Sequence, residues 1–148
     1  MRISAKGRYA IAATIYLAKR YANDEYITVI SISEDLDISK IYLEQVFSLL
    51  KQGEIVTSVK GSQGGYKLTR HPNQITVCDI LSPIEAALFE TTKESVRKHA
   101  AHIEQAAQNL IYLPLDHTIQ SFFKQVTLEN LLLEADKFNG ENGYMFYI

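Results

Sequence analysis

The chain has 148 residues, 47% of them hydrophobic, and carries a formal net charge of −2. That length supports one ordinary domain with a helical extension, and that composition supports a real core. A single cysteine, Cys78, excludes an internal disulfide and any cluster held by several cysteines of one chain, and the lack of a charged leader or a membrane-length apolar run makes a soluble cytoplasmic protein the expectation.

Charge is unevenly placed. Residues 1–80 hold ten basic and eight acidic side chains, whereas residues 81–148 hold five and nine. Arg2, Lys6, Arg8, Lys19 and Arg20 occupy the first twenty residues without an acid among them. A basic front and an acidic back suit a nucleic-acid-binding head on a regulatory body.

In chain order, Ser4 is placed to cap a helix over about Ala5 to Ala22, with Tyr9, Ala13, Tyr16 and Leu17 on its inner face. Arg2, Lys6 and Arg8 crowd its start, where cations oppose the helix dipole, so a phosphate backbone is a candidate partner. Solvated N-terminal charge is the alternative. Thr28 or Ser31 starts a second helix ending near Leu36, and Asp37-Ile38-Ser39 is a turn. Ser39 is then expected to cap a third helix whose Leu43, Val46, Phe47 and Leu50 form one buried stripe at i, i+3, i+4, i+7. Its other face carries Ile41, Gln45, Ser48 and Gln52, flanked by Lys40 and Glu44. Gly53 is expected to end it in a left-handed conformation. The pattern is a helix-turn-helix.

Ile55 to Lys60 alternates as a strand, Gly61-Ser62-Gln63-Gly64-Gly65 turns, and Tyr66 to Arg70 returns. Such a hairpin after a helix-turn-helix is a wing. Small tip residues permit close approach to a groove, and Lys60, Lys67 and Arg70 add charge. The loop leads into a strand and lacks a Walker pattern, so a nucleotide cradle is not expected.

The segments MRISAKGRYAI, ISKIYLEQVFSLLKQGEIV and VKGSQGGYKL together resemble the Rrf2 family of winged-helix transcription regulators. The resemblance covers the first 80 residues nearly continuously and resumes at VTLENL and the C-terminus. It implies a mainly α protein with a small β-hairpin, in which a winged helix-turn-helix head is joined to C-terminal dimerisation helices. It also implies a homodimer binding a double-stranded operator, with the third helix in the major groove and the wing in the minor groove. Carried onto this sequence, it implicates Ser39, Lys40, Tyr42, Glu44 and Gln45 on the helix and Lys60, Gly61, Gln63 and Gly64 on the wing. Arg2, Lys6, Arg8 and Tyr9 would anchor the backbone. Gln45 suits adenine and Glu44 suits a cytosine amino group. Lys60 stands where some members have arginine and cannot make a planar bidentate contact. Ile41 replaces a more usual polar residue.

Beyond the wing, His71-Pro72-Asn73 breaks the chain, and Thr76 to Asp79 forms a capping box for a fourth helix. Thr91-Thr92-Lys93-Glu94 is expected to cap a helix with a seam at Val96, Ala100, Ile103, Ala107 and Leu110. Pro114 should end or kink it. Leu115, Ile119, Phe122 and Val126 make a second stripe, and Thr127 caps a last helix from Leu128 to about Ala135. These two stripes predict a dimer. The expected division is a head over 1–81, a dimerisation and regulatory region over 82–136, and a tail over 137–148.

Cluster-binding members carry three cysteines in the region corresponding to about residues 88–112, and this chain has none there. Neither cofactor nor metal is expected: His99 and His102 read as a solvated pair, and Cys78 as a buried structural thiol in preference to a thiol sensor. Asn139 to Gly143 reads as a polar linker ahead of Tyr144, Met145, Phe146, Tyr147 and Ile148. GYMFYI resembles the end of the family's repressors of cysteine metabolism, which implies capture by cysteine synthase of a C-terminal isoleucine and its carboxylate. Packing of the tail on its own dimer is the alternative. A repressor of cysteine or sulfur metabolism is the leading expectation. The alternative is an adaptor or regulator answering a small effector or thiol signal without cysteine synthase. No nucleophile–base pair or paired carboxylates suggest an enzyme.

Overall fold

The computed structural model describes residues 2–145, with side chains through residue 140. Helix α1 spans Ala5–Ala18, and the Ser4 hydroxyl accepts a 3.1 Å bond from the Gly7 amide. It stops short of Ala22: a 3₁₀ turn over Tyr21–Asn23 and a left-handed Asp24 intervene. Helix α2 spans Val29–Leu36 and is capped by Thr28 through the Ser31 amide, which decides between the two candidate caps.

Helix α3 spans Lys40–Gln52. Two expectations about its ends are corrected. Ser39 occupies the N-cap position but its side chain accepts no capping bond, and Gly53 has φ −79°, so it is not left-handed. The left-handed residue is Glu54, at φ 58°. Glycine is needed at 53 for a different reason, because a Cβ there would sit 2.8 Å from Pro83 Cγ.

Strands β1 (Val56–Val59) and β2 (Gly65–Leu68) pair antiparallel, with Val56 opposite Leu68 and Val59 opposite Gly65. Ile27 adds one isolated rung to β2 from outside the hairpin: its amide donates to the Tyr66 carbonyl at 2.9 Å, and the Tyr66 amide returns a 2.8 Å bond. Gly65 makes that rung possible. Its φ is 148°, and a Cβ there would lie 2.3 Å from the Ile27 carbonyl oxygen.

Helix α4 (Val77–Leu81) carries the expected capping box, with Thr76 and Asp79 bonding each other's amides. A short helix α5 (Ala86–Phe89) follows, unforeseen in the sequence. The box expected at Thr91–Glu94 does not form. Helix α6 (Arg97–Ala107) begins later, with non-helical dihedrals at Ala100, because the preceding loop is drawn onto carboxylates further along the chain, one of them in α6 itself. Thr92 bonds Asp116 through both its amide and its hydroxyl, and the Ser95 and Val96 amides bond Glu104. A π-helical turn over Gln108–Tyr112 then leads into α7 (Leu113–Gln125). The regular α-helix is interrupted close to where it was expected to end or kink: α6 gives way to the π turn, which closes at Tyr112 just ahead of Pro114. Pro114 sits in the first turn of α7, where its missing amide is tolerated behind a π turn.

Helix α8 (Leu128–Met145) is capped reciprocally by Thr127 and Asn130. It continues well past Ala135, so residues 139–143 are helical backbone and not a linker. The tail residues Tyr144 and Met145 are helical in backbone; their side chains, and Phe146, Tyr147 and Ile148 entirely, lie outside the described residues.

The main core gathers Ala10, Ala13, Ile32, Leu43, Val46, Phe47, Leu50, Ile75, Ile80 and Leu128, all fully buried. Phe47 stacks on Tyr66 with centroids 4.4 Å apart. Leu128 is the far end of the chain closing the head. It is carried there by hydrogen bonds from the Val77 amide to the Val126 carbonyl (2.9 Å) and from the Leu128 amide to the Ile75 carbonyl (2.8 Å). Leu131 and Leu132 pack behind it. Leu128→Ala should therefore lower the stability of the head itself, by about 2–5 kcal/mol in chemical denaturation monitored through the tyrosines. A loss confined to the α6–α8 body would contradict this packing.

Candidate nucleic-acid interface

Burial of one stripe of α3 leaves a defined outward face. Ile41 (69% exposed), Tyr42, Glu44, Gln45 and Ser48 all point away from the core. Lys6 of α1 joins Ile41, Glu44, Gln45, Ser48 and Leu49 around a shallow concavity of about 480 Å³. The structure thus brings the N-terminal cation and the expected recognition residues to one surface. Ser48 was already expected on the outward face, and Leu49 is an addition on the same rim. Tyr9 and Tyr42 meet edge to face at 5.6 Å, which makes Tyr9 a support for Tyr42. Lys40 and Glu44 form an exposed i,i+4 pair at 3.7 Å, so part of the Lys40 charge is locally compensated. Ser39, Arg2 and Arg8 are exposed.

The wing turns on Gly61, at φ 108°, and on a 2.9 Å bond from the Gly64 amide to the Gly61 carbonyl. A Cβ on Gly64 would be 2.4 Å from the Val59 carbonyl oxygen, so Gly64 is buried within the turn and shapes it. Lys60, Gly61 and Gln63 are exposed at the tip.

The structure corrects the expected contribution of two wing cations. The Lys67 ammonium donates to Asp24 at 2.7 Å and lies 4.7 Å from the Tyr26 ring centroid. The Asp24 hydrogen bond holds its pKa above the usual lysine value, against a smaller opposing effect of desolvation. Arg70 bonds the Gln74 and Glu54 carbonyls and pairs with Asp79 at 3.4 Å. Both are tied to the body of the head, leaving Lys60 as the wing cation without an ion-pair partner among the described residues.

Behind the interface, the Tyr16 hydroxyl donates to Asp35, fastening α1 to α2, with the Arg20 guanidinium 3.7 Å from the ring centroid. Burial first, and the Asp35 bond second, raise the Tyr16 pKa. Glu85, before α5, accepts a 2.7 Å bond from the Ser4 amide, so the second half of the chain touches the start of the helix that carries Lys6 and Arg8. No sequence motif announced that contact, since it joins residues 81 positions apart.

In the α6–α7 body, His99 and His102 are exposed, and the described residues contain no group of three His, Cys, Asp or Glu able to hold a metal. Cys78 is buried, as expected, with its sulfur 3.8 Å from the Ser82 hydroxyl. Glu104 was not anticipated. Its carboxylate accepts bonds from the Ser95 amide, the Ser95 hydroxyl and the Val96 amide at 2.9–3.1 Å. The Val96 amide is the largest cause holding its pKa below the ordinary glutamate value, and desolvation opposes it.

A helix-turn-helix followed by a glycine-tipped wing defines a winged-helix transcription regulator. The chain belongs to the Rrf2 family: the family model described as "Rrf2: Iron-dependent Transcriptional regulator" matches residues 3–134. It is 30% identical over 148 residues to the HTH-type transcriptional regulator CymR of Bacillus subtilis, covering 100% of both chains. It is also 32% identical over 136 residues to a putative HTH-type transcriptional regulator, ORF2, of Azotobacter vinelandii, covering 92% of this chain and 82% of that one. Among solved structures, CymR, titled the global cysteine regulator of B. subtilis, superposes with a TM-score of 0.73 at 28% identity, covering 90% of this chain and 98% of that one. A T. potens IscR superposes at 0.68 with 31% identity, covering 99% and 97%. These relatives are transcription regulators and not enzymes. No described helix is long and apolar enough to cross a membrane.

The family description invokes iron, and the residues here do not fit it. Thiolates hold such clusters, and the single cysteine is buried in α4, away from the 88–112 region where cluster ligands would lie.

Two outcomes are expected. Lys60→Ala should weaken DNA binding and reduce the salt slope by about one, whereas Lys67→Ala should leave the slope unchanged, as measured by fluorescence anisotropy. Glu104 releases its proton more readily in the folded chain than in the unfolded one. Its contribution is thus present above the ordinary glutamate pKa of 4.5 and lost as pH falls through the lower folded value. Protection of the Ser95 and Val96 amides, taken relative to the intrinsic exchange rate at each pH, should fall on acidification through that range, more than in Glu104→Gln.

Proposed function

We propose that this chain is a homodimeric, operator-binding repressor in which α3 enters the major groove and the wing approaches the minor groove. The observation that carries the reading is the polar outward face of α3 sharing one surface with Lys6, next to a wing tip whose Lys60 is uncommitted. Gln45 is the residue placed to read adenine, with Glu44 accepting from cytosine and Ile41 meeting a thymine methyl. Arg2, Lys6, Arg8, Ser39, Lys40 and Tyr42, braced by Tyr9, position the backbone. Gly61, Gln63 and Gly64 shape the wing tip. The dimer reading rests on apolar side chains left in water on α6 and α7 and the turn between them: Leu110 is 81% exposed and Phe122 60%, with Ile103 and Leu115 also exposed. A second copy is what such a stripe requires.

For the regulated process, the full-length match to CymR and the GYMFYI ending favour cysteine or sulfur metabolism. Residues Tyr144 to Ile148 would present a terminal carboxylate to cysteine synthase. The division into a head over 1–81, a regulatory body over 82–136 and a tail over 137–148 is part of this proposal, with Leu128 lent by the body to the head core.

Binding of genomic-selected DNA across a salt series tests the repressor reading. Affinity should fall about a thousandfold or more between roughly 50 and 200 mM salt, and Gln45→Ala should cost about 1–3 kcal/mol at its base pair. Failure of selection to recover any specific fragment would overturn it. Deleting Ile148 should abolish cysteine synthase binding while leaving the dimer intact, and undiminished binding would refute the tail's role.

A further inference from the structure

The α6–α7 body contains an open cleft of about 530 Å³, bounded by the 91–97 loop on one side and the π turn on the other. Thr92, Arg97, Glu104, Gln105, Gln108 and Asn109 line it, so its surface is rich in hydrogen-bonding groups. Within that wall, Glu104 is only 4% exposed. Its Oε2 takes all three bonds from Ser95 and Val96, and its Oε1 is buried without a hydrogen-bond partner among the described residues. The Gln108 side chain also lines the cleft and, as a lesser cause beside Val96 and Ser95, helps lower the Glu104 pKa, but it makes no hydrogen bond to Oε1. A buried carboxylate oxygen left unpaired is costly, and its presence at a cavity wall marks a missing donor.

Charge narrows the donor. Arg97 is committed to Glu94 through two bonds of 3.0 and 3.2 Å. Asp116 is likewise committed to Thr92. Glu104 is therefore the charge in the cleft that nothing cancels, and a cationic donor suits it better than a neutral one. The π turn is a second, independent observation. Such turns are poor helical geometry and recur at functional sites, and this one supplies Gln108 and Asn109 to the cleft.

We propose that this cleft binds a small molecule through a primary ammonium group, accepted by Glu104 Oε1, with the Gln105 and Asn109 amides meeting the polar remainder. Entry requires the Gln108 side chain to rotate aside. A ligand so placed bridges the 91–96 loop and the π turn, giving the regulatory body an input separate from the tail. The inference does not depend on what DNA the head binds, because the test uses ligand and protein alone.

The ammonium could belong to a free amino acid or to an aliphatic amine. Isothermal titration calorimetry of the full chain would use three probe sets: the standard amino acids, their N-acetyl derivatives, and 1,4-diaminobutane. At least one ammonium-bearing probe should bind with a Kd below about 1 mM. If amino acids are the source, their N-acetyl forms should bind at least about tenfold more weakly; if amines are, 1,4-diaminobutane should bind and the amino acids should not. Glu104→Gln keeps an acceptor for Ser95 and Val96 but removes the charge, and should weaken binding at least about tenfold with an unchanged circular dichroism spectrum. Should that variant fail to fold, Gln105→Lys, at an exposed position, places a competing ammonium in the cleft and should block binding. No binding by any probe up to about 10 mM, equal binding of an acetylated form, or full affinity in whichever of these variants folds would overturn the proposal.

Discussion

Burial of Leu43, Val46, Phe47 and Leu50 fixes the rotation of α3 about its own axis, and the outward display of Ile41, Tyr42, Glu44, Gln45 and Ser48 follows from it. A helix whose apolar stripe is fully buried on one side cannot turn without exposing several large side chains, each worth roughly 1.5–3 kcal/mol. Phe47 extends the constraint to the wing, because its ring stacks on Tyr66, whose backbone pairs with Ile27. Helix and hairpin are thereby held as one body. Gly65 is the point at which this could fail, since a side chain there would occupy the space of the Ile27 carbonyl.

Electrostatics then sorts the basic residues into two groups. Lys67 and Arg70 are consumed by Asp24 and Asp79 and brace the hairpin against the rest of the head. Lys6, Arg8 and Lys60 form no ion pair among the described residues. A count of cations along the wing treats all of them alike, whereas only the unpaired ones are available to release counterions from a phosphate backbone.

In the second half of the chain, carboxylates do the organising. Asp116 and Glu104 strap the 91–96 loop onto α6 and α7, and Glu85 reaches the Ser4 amide at the start of α1. The loop is held by these bonds in place of a capping box, which is why α6 begins only at Arg97. The Glu85 contact brings this half of the chain to the start of the helix that carries Lys6 and Arg8.

Local rules in the sequence determined much of the head. The Ser4 cap, the α3 stripe, the Thr76–Asp79 capping box and the hairpin about Gly61 to Gly65 each depend on residues within a few positions of one another. The candidate recognition residues were legible for the same reason, because helical period alone separates the buried stripe from the outward face. What only the tertiary structure decided depends on distant partners. Gly53 is there for Pro83 and not for a left-handed bend; the Thr91–Glu94 pattern yields to Asp116 and Glu104; Lys67 is claimed by Asp24; and Leu128 completes a core begun more than a hundred residues earlier. Where a long-range contact displaces a local motif, as at Thr91–Glu94, the local preference, worth about 1 kcal/mol for a cap, gives way to hydrogen bonds with Asp116 and Glu104.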